Sequence, residues 1–78
     1  MYFVYMLECS DKSLYTGITN DISKRLCAHK NGTASKYTRA KKALRMVYSE
    51  KHTSKSSALK REIEIKKWSR EKKLAYIK

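Results

Sequence analysis

Proline is absent from this sequence of 78 residues, and glycine occurs only twice, as Gly17 and Gly32. Because so few residues here can break regular structure, each glycine is expected to meet a particular backbone requirement. Gly17 interrupts the stretch SLYTGITN (13–20), whose alternation and β-branched and aromatic residues otherwise predict a strand. A glycine inside a strand is typical of a bulge or of a close approach by another group.

Cysteine and long apolar runs are scarce as well. Cys9 and Cys27 are too few for the disulfide scaffold of a small secreted domain, and no CxxC or HxxxH pair indicates a zinc site. No apolar run is long enough to span a membrane, and residues 1–10 lack the features of a signal peptide. We therefore expect a single domain over residues 1–78, a cytoplasmic location (nucleoid-associated if the protein is bacterial) and no membrane partner.

Acidic residues are few: 7 Asp and Glu accompany 19 Lys and Arg, which gives a net charge of +12. The imbalance is concentrated after residue 30, where 15 basic side chains accompany 4 acidic ones. A domain this basic favours polyanionic partners, of which nucleic acid is the commonest. A solubilising surface and a contact with anionic lipid are the alternatives that charge alone leaves open.

The apolar stretch YFVYMLEC (2–9) and the alternating stretch at 13–20 predict a β-hairpin with a loop of about three residues. The register that closes this loop places Tyr5 opposite Gly17. Tyr15 lies on the same face, because strand side chains alternate. The missing side chain of Gly17 therefore leaves room opposite Tyr5 on a surface that displays two tyrosines.

A helix is predicted after this hairpin. Asn20 or Asp21 can cap its start, and the NG pair at 31–32 is a strong stop signal. Arg25 and His29 lie one turn apart, on or beside the apolar stripe of this helix. A helix that served only the core would not carry these two side chains there.

A third strand over residues 43–50 and a helix from the caps at 53–56 to about Trp68 follow, with a shorter helix closing the chain. Helical spacing places Glu62 within the stripe that packs on the sheet, whereas Glu64 points away with the lysines. A carboxylate at such a position needs a cation, a metal ion or a hydrogen-bond donor as its partner.

Five side chains thus depart from what local packing requires, and together they suit phosphodiester hydrolysis. A carboxylate can hold a divalent metal, an arginine can neutralise phosphoryl oxygens, and phenol and imidazole groups can move protons. Taken singly, each has an ordinary alternative, such as a strand tyrosine or an ion pair with Lys66 one turn along the helix. The five candidates are Tyr5, Tyr15, Arg25, His29 and Glu62.

In these residues the sequence resembles the GIY-YIG nuclease superfamily. FVY (3–5) and YTG (15–17) match the two half-motifs on either side of a hairpin, and Arg25 and His29 match the segment on the first helix. Glu62, in ALKREIEIKKW, matches the glutamate of the later helix. The length and the KYTR loop look most like the small stand-alone, YhbQ-like branch.

The resemblance implies a small α/β fold with a three-stranded antiparallel sheet flanked by helices. It also implies DNA cleavage with one divalent metal ion, Mg²⁺ or Mn²⁺, held by Glu62, and no small-molecule cofactor. In that scheme Tyr5 or Tyr15 activates or orients the attacking water, Arg25 contacts the scissile phosphate, and His29 assists proton transfer or phosphate contact.

Further residues are predicted to contact nucleic acid. Gly17 would let the DNA backbone approach the tyrosines, an aromatic among basic residues can stack on an unpaired base, and lysines can track phosphates. These predicted contacts are Gly17, Lys36, Tyr37, Arg39, Lys66 and Lys67.

Two departures from the family pattern bear on activity. Phe3 replaces the glycine of the first half-motif, and no asparagine follows Asn31, whereas many members carry one beyond the metal glutamate. The prediction is a structure-selective DNA endonuclease of repair or recombination, since base recognition would need a separate targeting protein. The missing asparagine supports an alternative, a non-catalytic basic nucleic-acid-binding module that keeps the fold.

Overall fold

In the computed structural model of the protein, residues 1–32 and 40–77 are described. Within these residues three strands form one antiparallel sheet in the order β2-β1-β3, accompanied by three helices. The elements are β1 (Tyr2–Cys9), β2 (Leu14–Thr19), α1 (Ile22–Lys30), β3 (Ala43–His52), α2 (Lys55–Lys66) and α3 (Arg70–Ile77). The predicted fold class is confirmed.

The predicted register of the hairpin is also confirmed. Tyr5 pairs with Gly17, and Leu7 pairs with Tyr15. The turn that sets this register is closed by the Cys9 N–H, which donates to the Ser13 carbonyl at 2.9 Å. Turn geometry and strand alternation therefore put both tyrosines on one face of the sheet.

One face of the sheet is covered by α2. Val4 and Met6 of β1 are fully buried there against Ala58 and Ile65 of α2. Trp68 is half-buried against the same cluster. The even-numbered side chains Val4 and Met6 of β1 thus pack in the part of the core beneath α2.

The other face of the sheet is covered by α1. Tyr5 and Leu7 are buried there with Ala43, and Leu26 of α1 packs against them. Burial on both faces explains why β1 is apolar or aromatic at nearly every position. It also places the odd-numbered side chains of β1 next to the residues that α1 presents.

None of the helices in the described residues is long and apolar enough to cross a membrane.

Candidate active site

Gly17 lies directly against the ring of Tyr5. A Cβ added at Gly17 would lie 2.6 Å from Tyr5 Oη and 2.8 Å from Tyr5 Cζ, closer than real Cβ atoms come to other atoms. The room that the glycine provides is therefore filled by Tyr5, whose side chain is only 2% exposed. The close approach predicted at this glycine is that of the neighbouring tyrosine, and a contact between Gly17 and a DNA backbone stays a prediction.

Gly17→Ala is expected to destabilise the protein by about 1–3 kcal/mol, because a new methyl group must displace a buried ring. The measurement is urea unfolding of wild type and variant. Tyr5→Phe removes the atom nearest to the new Cβ, so the penalty of Gly17→Ala should be smaller in a Tyr5→Phe background. An equal penalty in both backgrounds would contradict the steric explanation.

Tyr5 forms a hydrogen bond with His29 across the sheet–helix interface. Tyr5 Oη and His29 Nε2 lie 2.8 Å apart, and their rings meet edge to face with centroids 5.7 Å apart. The ring of Tyr15 approaches His29 in the same manner, at 5.1 Å. We call Tyr5, Tyr15 and His29 the Tyr–His cluster. It joins both strands of the hairpin to the last turn of α1.

Burial raises the pKa of Tyr5, and the neighbouring Tyr15 and Glu62 raise it further. Arg25 lowers this pKa but does not outweigh the other effects. Tyr5 is therefore a protonated phenol at neutral pH. As a base it is therefore poorer than a free tyrosine.

Burial also lowers the pKa of His29, and the guanidinium of Arg25 lowers it further. The imidazole, 2% exposed, is therefore neutral at pH 7. A neutral imidazole can accept a proton at one ring nitrogen and donate from the other. His29 can accordingly hold the phenol of Tyr5 in one orientation.

The lowered pKa of His29 has a consequence for stability. As the pH falls below the ordinary histidine value of 6.5, the unfolded chain takes up a proton that the folded protein resists, so the free energy of unfolding decreases. Urea unfolding at about pH 7.5 and about pH 5.5 measures this decrease. It should be smaller in His29→Gln, which lacks the titrating group, and an equal decrease in both proteins would contradict the expectation.

Arg25 stands at the exposed side of the cluster. It lies one turn before His29 on α1, and its charge acts on both Tyr5 and His29. Together with Lys24 and Ala28 it lines a cavity of about 210 Å³ at the end of β2. Arg25 is thus placed where a solvent-borne phosphate could meet a cation beside the Tyr–His cluster.

Glu62 occupies the position on α2 that helical spacing predicts. Its side chain is 17% exposed, against 57% for Glu64, whereas Leu59, which helical spacing places on the same face three residues earlier, is 38% exposed. Lys66 Nζ lies 3.4 Å from Glu62 Oε2, so the cation predicted as an alternative partner is present. Since Glu62 also raises the pKa of Tyr5, it lies within electrostatic reach of the Tyr–His cluster.

The donor set suits a metal ion bound jointly by protein and substrate. In the described parts of the chain no group of three or more His, Cys, Asp or Glu side chains could hold a metal ion. Mg²⁺ is commonly bound through one or two carboxylates together with waters and substrate phosphates. Glu62, half-buried and paired with an exposed lysine, fits that mode of binding.

The structure describes some of the predicted nucleic-acid contacts and leaves others outside the described residues. Lys66 and Lys67 are exposed at the C-terminal end of α2, and Lys66 pairs with Glu62. Lys36, Tyr37 and Arg39 lie outside the described residues. Their contacts with nucleic acid stay predictions.

Sequence reasoning missed a second polar cluster, around Glu50 of β3. Glu50 accepts hydrogen bonds from Tyr48 Oη and from Arg61 Nε, the latter at 3.1 Å, and pairs with His52 Nε2 at 2.5 Å. Arg61 also donates to Tyr76 Oη at 2.7 Å. Tyr48, Glu50 and His52 alternate along β3, and this spacing indicates in the sequence that their side chains share one face of the strand. The cluster joins β3, α2 and α3, so its effect is on the fold.

Burial raises the pKa of Glu50, but hydrogen bonds from Tyr48, His52 and Arg61 outweigh burial and hold that pKa below its ordinary value. Glu50 is thus an ionised, fully partnered carboxylate. It is not available as a second metal ligand beside Glu62.

Comparisons with known proteins agree with this arrangement. The family model of the GIY-YIG catalytic domain matches residues 1–75. UPF0213 protein SSP2268 of Staphylococcus saprophyticus is 49% identical over 76 residues, which cover 97% of this chain and 93% of that protein. UPF0213 protein SA0446 of Staphylococcus aureus is 48% identical over 77 residues, with coverages of 99% and 94%.

A solved structure shows the same fold. The solution NMR structure of UPF0213 protein BH0048 from Bacillus halodurans is 41% identical in sequence and superposes with a TM-score of 0.62. The match covers 99% of this chain and 83% of that chain. Sequence, fold and the family match over nearly the whole chain agree. The chain therefore belongs to the GIY-YIG family of nuclease-type hydrolases, and its close relatives are the small stand-alone UPF0213 proteins.

Proposed function

We propose that the protein is a metal-dependent endonuclease that hydrolyses phosphodiester bonds in DNA. The observation that carries the proposal is the contact of the hairpin with α1 at the Tyr–His cluster, where Tyr5 and Tyr15 meet His29 one turn from Arg25. The hairpin supplies two tyrosines, α1 supplies Arg25 and His29, and α2 supplies Glu62, whose charge acts on Tyr5. Membership of a nuclease-type hydrolase family supports the same chemistry.

We assign a catalytic role to each side chain according to its exposure to solvent. Arg25 is exposed, and it would neutralise charge on the phosphoryl oxygens as the bond breaks. Glu62 would hold one Mg²⁺ or Mn²⁺, which supplies polarisation of the phosphate when bound. Tyr15, half-buried beside Arg25's helix, would orient the attacking water or remove its proton.

Tyr5 and His29 are buried, so they act through their neighbours. Their hydrogen bond fixes two rings against which Tyr15 packs, and it ties α1 to the hairpin. Both are therefore positioning residues in this proposal, and the direct contact of His29 with substrate that the sequence suggested is not needed.

The substrate is proposed to be selected by structure or strand state, as in DNA repair or recombination. The described residues form one three-stranded sheet with three helices, and base-specific recognition requires side chains that reach base edges in a groove. The basic surface would bind phosphates, and a separate targeting protein would supply any sequence choice. A cytoplasmic location, nucleoid-associated in a bacterium, follows from that substrate.

The test is a nuclease assay at low salt with Mg²⁺ and then with Mn²⁺. The substrates are single-stranded, duplex, flapped and branched DNA together with a structured RNA. Metal-dependent cleavage of one DNA structure in preference to the others is the expected result. Cleavage of the RNA alone would reassign the substrate, and binding without cleavage under either metal would overturn the nuclease proposal.

One observation favours a second candidate, a non-catalytic nucleic-acid-binding module. Lys66 already neutralises Glu62 in the structure, and no asparagine follows Asn31 in the sequence. Such a module would bind nucleic acid in a salt-dependent manner and would be indifferent to replacement of Tyr15.

A further inference from the structure

A basic cavity lies where the β1–β2 turn meets α3, away from the Tyr–His cluster. Its volume is about 220 Å³, and it is lined by Ser13, Leu14, Arg70 and Lys73. The two cationic residues stand one turn apart on α3, so they face the same space. The cavity thus combines two positive side chains with a size suited to a small anionic group.

No acidic side chain neutralises the cations of this cavity within residues 1–32 and 40–77. Lys73 is half-buried and forms no ion pair there, and Arg70 donates to the carbonyl oxygen of Lys12. Asp11, close to Ser13, is already paired with Lys41 at 2.9 Å and accepts the hydroxyl hydrogen of Ser13. The positive charge of the cavity is therefore available to an external anion.

Lys73 has an unfavourable environment for its own charge. Burial lowers the pKa of Lys73, and the nearby ammonium of Lys66 lowers it further. An anion bound between Arg70 and Lys73 would offset both effects, because it supplies the opposite charge that the site lacks.

The same lysine connects the cavity to the proposed active site. Lys66 contacts Glu62 at 3.4 Å and acts electrostatically on Lys73, which in turn lines the cavity with Arg70. Cationic side chains thus lead from the proposed metal ligand to the β1–β2 turn. A polyanionic strand whose scissile phosphate lies at Glu62 would pass along this line.

We propose that Arg70 and Lys73, beside the β1–β2 turn, form a second phosphate-binding site, the turn subsite, which holds the nucleic-acid backbone away from the bond that is cut. The proposal rests on the proposed function for the identity of the strand. It assigns a positioning task to the turn subsite, distinct from the general attraction that exposed lysines such as Lys67 exert.

The first test measures binding in the absence of metal. Fluorescence anisotropy with a short single-stranded oligonucleotide is recorded over a range of salt concentrations for wild type, Lys73→Gln and Lys73→Arg. Lys51→Gln is the matched control, since Lys51 is exposed on β3 opposite Phe3, at the other end of the sheet from the turn. Circular dichroism melting confirms that each variant is folded.

Loss of one phosphate contact should reduce the slope of log K against log salt by about 0.7 on a single strand. We expect this reduction in Lys73→Gln and a wild-type slope in Lys73→Arg and Lys51→Gln. Equal slopes for Lys73→Gln and Lys51→Gln would overturn the turn subsite.

The second test locates the phosphate. Neutral methylphosphonate linkages replace the phosphates of the oligonucleotide one at a time, and affinity is measured for wild type and Lys73→Gln. One linkage should weaken binding to wild type while leaving binding to Lys73→Gln unchanged. Identical profiles for the two proteins would overturn the turn subsite.

These readouts separate the inference from the proposed function. The binding measurements use no metal and no cleavage. If the wild type proves inactive, the nuclease proposal is rejected, and the comparison of wild type with Lys73→Gln still tests the turn subsite. Cleavage by wild type with identical Lys73→Gln and Lys51→Gln slopes rejects the turn subsite alone.

Discussion

Glu62→Gln is expected to abolish metal-dependent cleavage, lowering the rate by about a thousandfold, while nucleic-acid binding is retained. The reason is that a metal ion supplies several kcal/mol of transition-state stabilisation, and each 1.4 kcal/mol corresponds to a factor of ten in rate. An amide has nearly the shape of the carboxylate but offers no negative charge to a cation. Single-turnover cleavage with Mg²⁺ measures the effect, and anisotropy measures binding.

The matched control is Glu64→Gln, two residues along the same helix. Glu64 is 57% exposed and paired with Arg61, and exposed ion pairs contribute little to stability. Both variants raise the net charge by one, so any general electrostatic gain in DNA affinity is shared. Activity retained in Glu62→Gln, or lost equally in Glu64→Gln, would contradict the role of Glu62 as metal ligand.

The pair between Glu62 and Lys66 does not conflict with that role. Exposed pairs four residues apart on a helix contribute about 0.3–0.5 kcal/mol, and here the lysine is the exposed partner. Lys66 is 54% exposed and can move to solvent or to a phosphate. A divalent ion in contact with the carboxylate would therefore displace it at little cost.

The hairpin could be predicted from the sequence because its determinants are local. A short polar turn, two alternating strands and one glycine fix the register that puts Tyr5 opposite Gly17. The partial burial of Glu62 follows equally from helical spacing. Leu59 shows the limit of that spacing, since this apolar residue, three positions before Glu62, is 38% exposed.

Contacts between distant elements could not be predicted in this way. The hydrogen bond between Tyr5 and His29 depends on how α1 lies across the sheet, and no local pattern encodes that angle. The cluster around Glu50 likewise joins β3 to Arg61 of α2 and Tyr76 of α3. The alternation of polar residues along β3 predicts that their side chains share a face. It does not predict their partners, which lie on other elements.

The two tyrosines, equivalent in the motif, should differ when each is replaced by phenylalanine. Tyr5→Phe leaves the buried Nε2 of His29 without its phenol partner, so we expect a loss of stability of about 1–3 kcal/mol and a smaller fall in activity. Tyr15→Phe should lower cleavage by about a hundredfold or more, because general acid–base groups contribute on that order.

The measurements that separate the two tyrosines are urea unfolding together with single-turnover cleavage over a range of pH. A positioning role for Tyr5 predicts that Tyr5→Phe keeps the shape of the wild-type pH profile, whereas loss of a proton-transferring phenol in Tyr15→Phe changes it. The reverse pattern, with activity dependent on Tyr5 and indifferent to Tyr15, would mean that the buried phenol is the reacting group. It would also require a conformational change, because Tyr5 is enclosed by Gly17 and His29 in this structure.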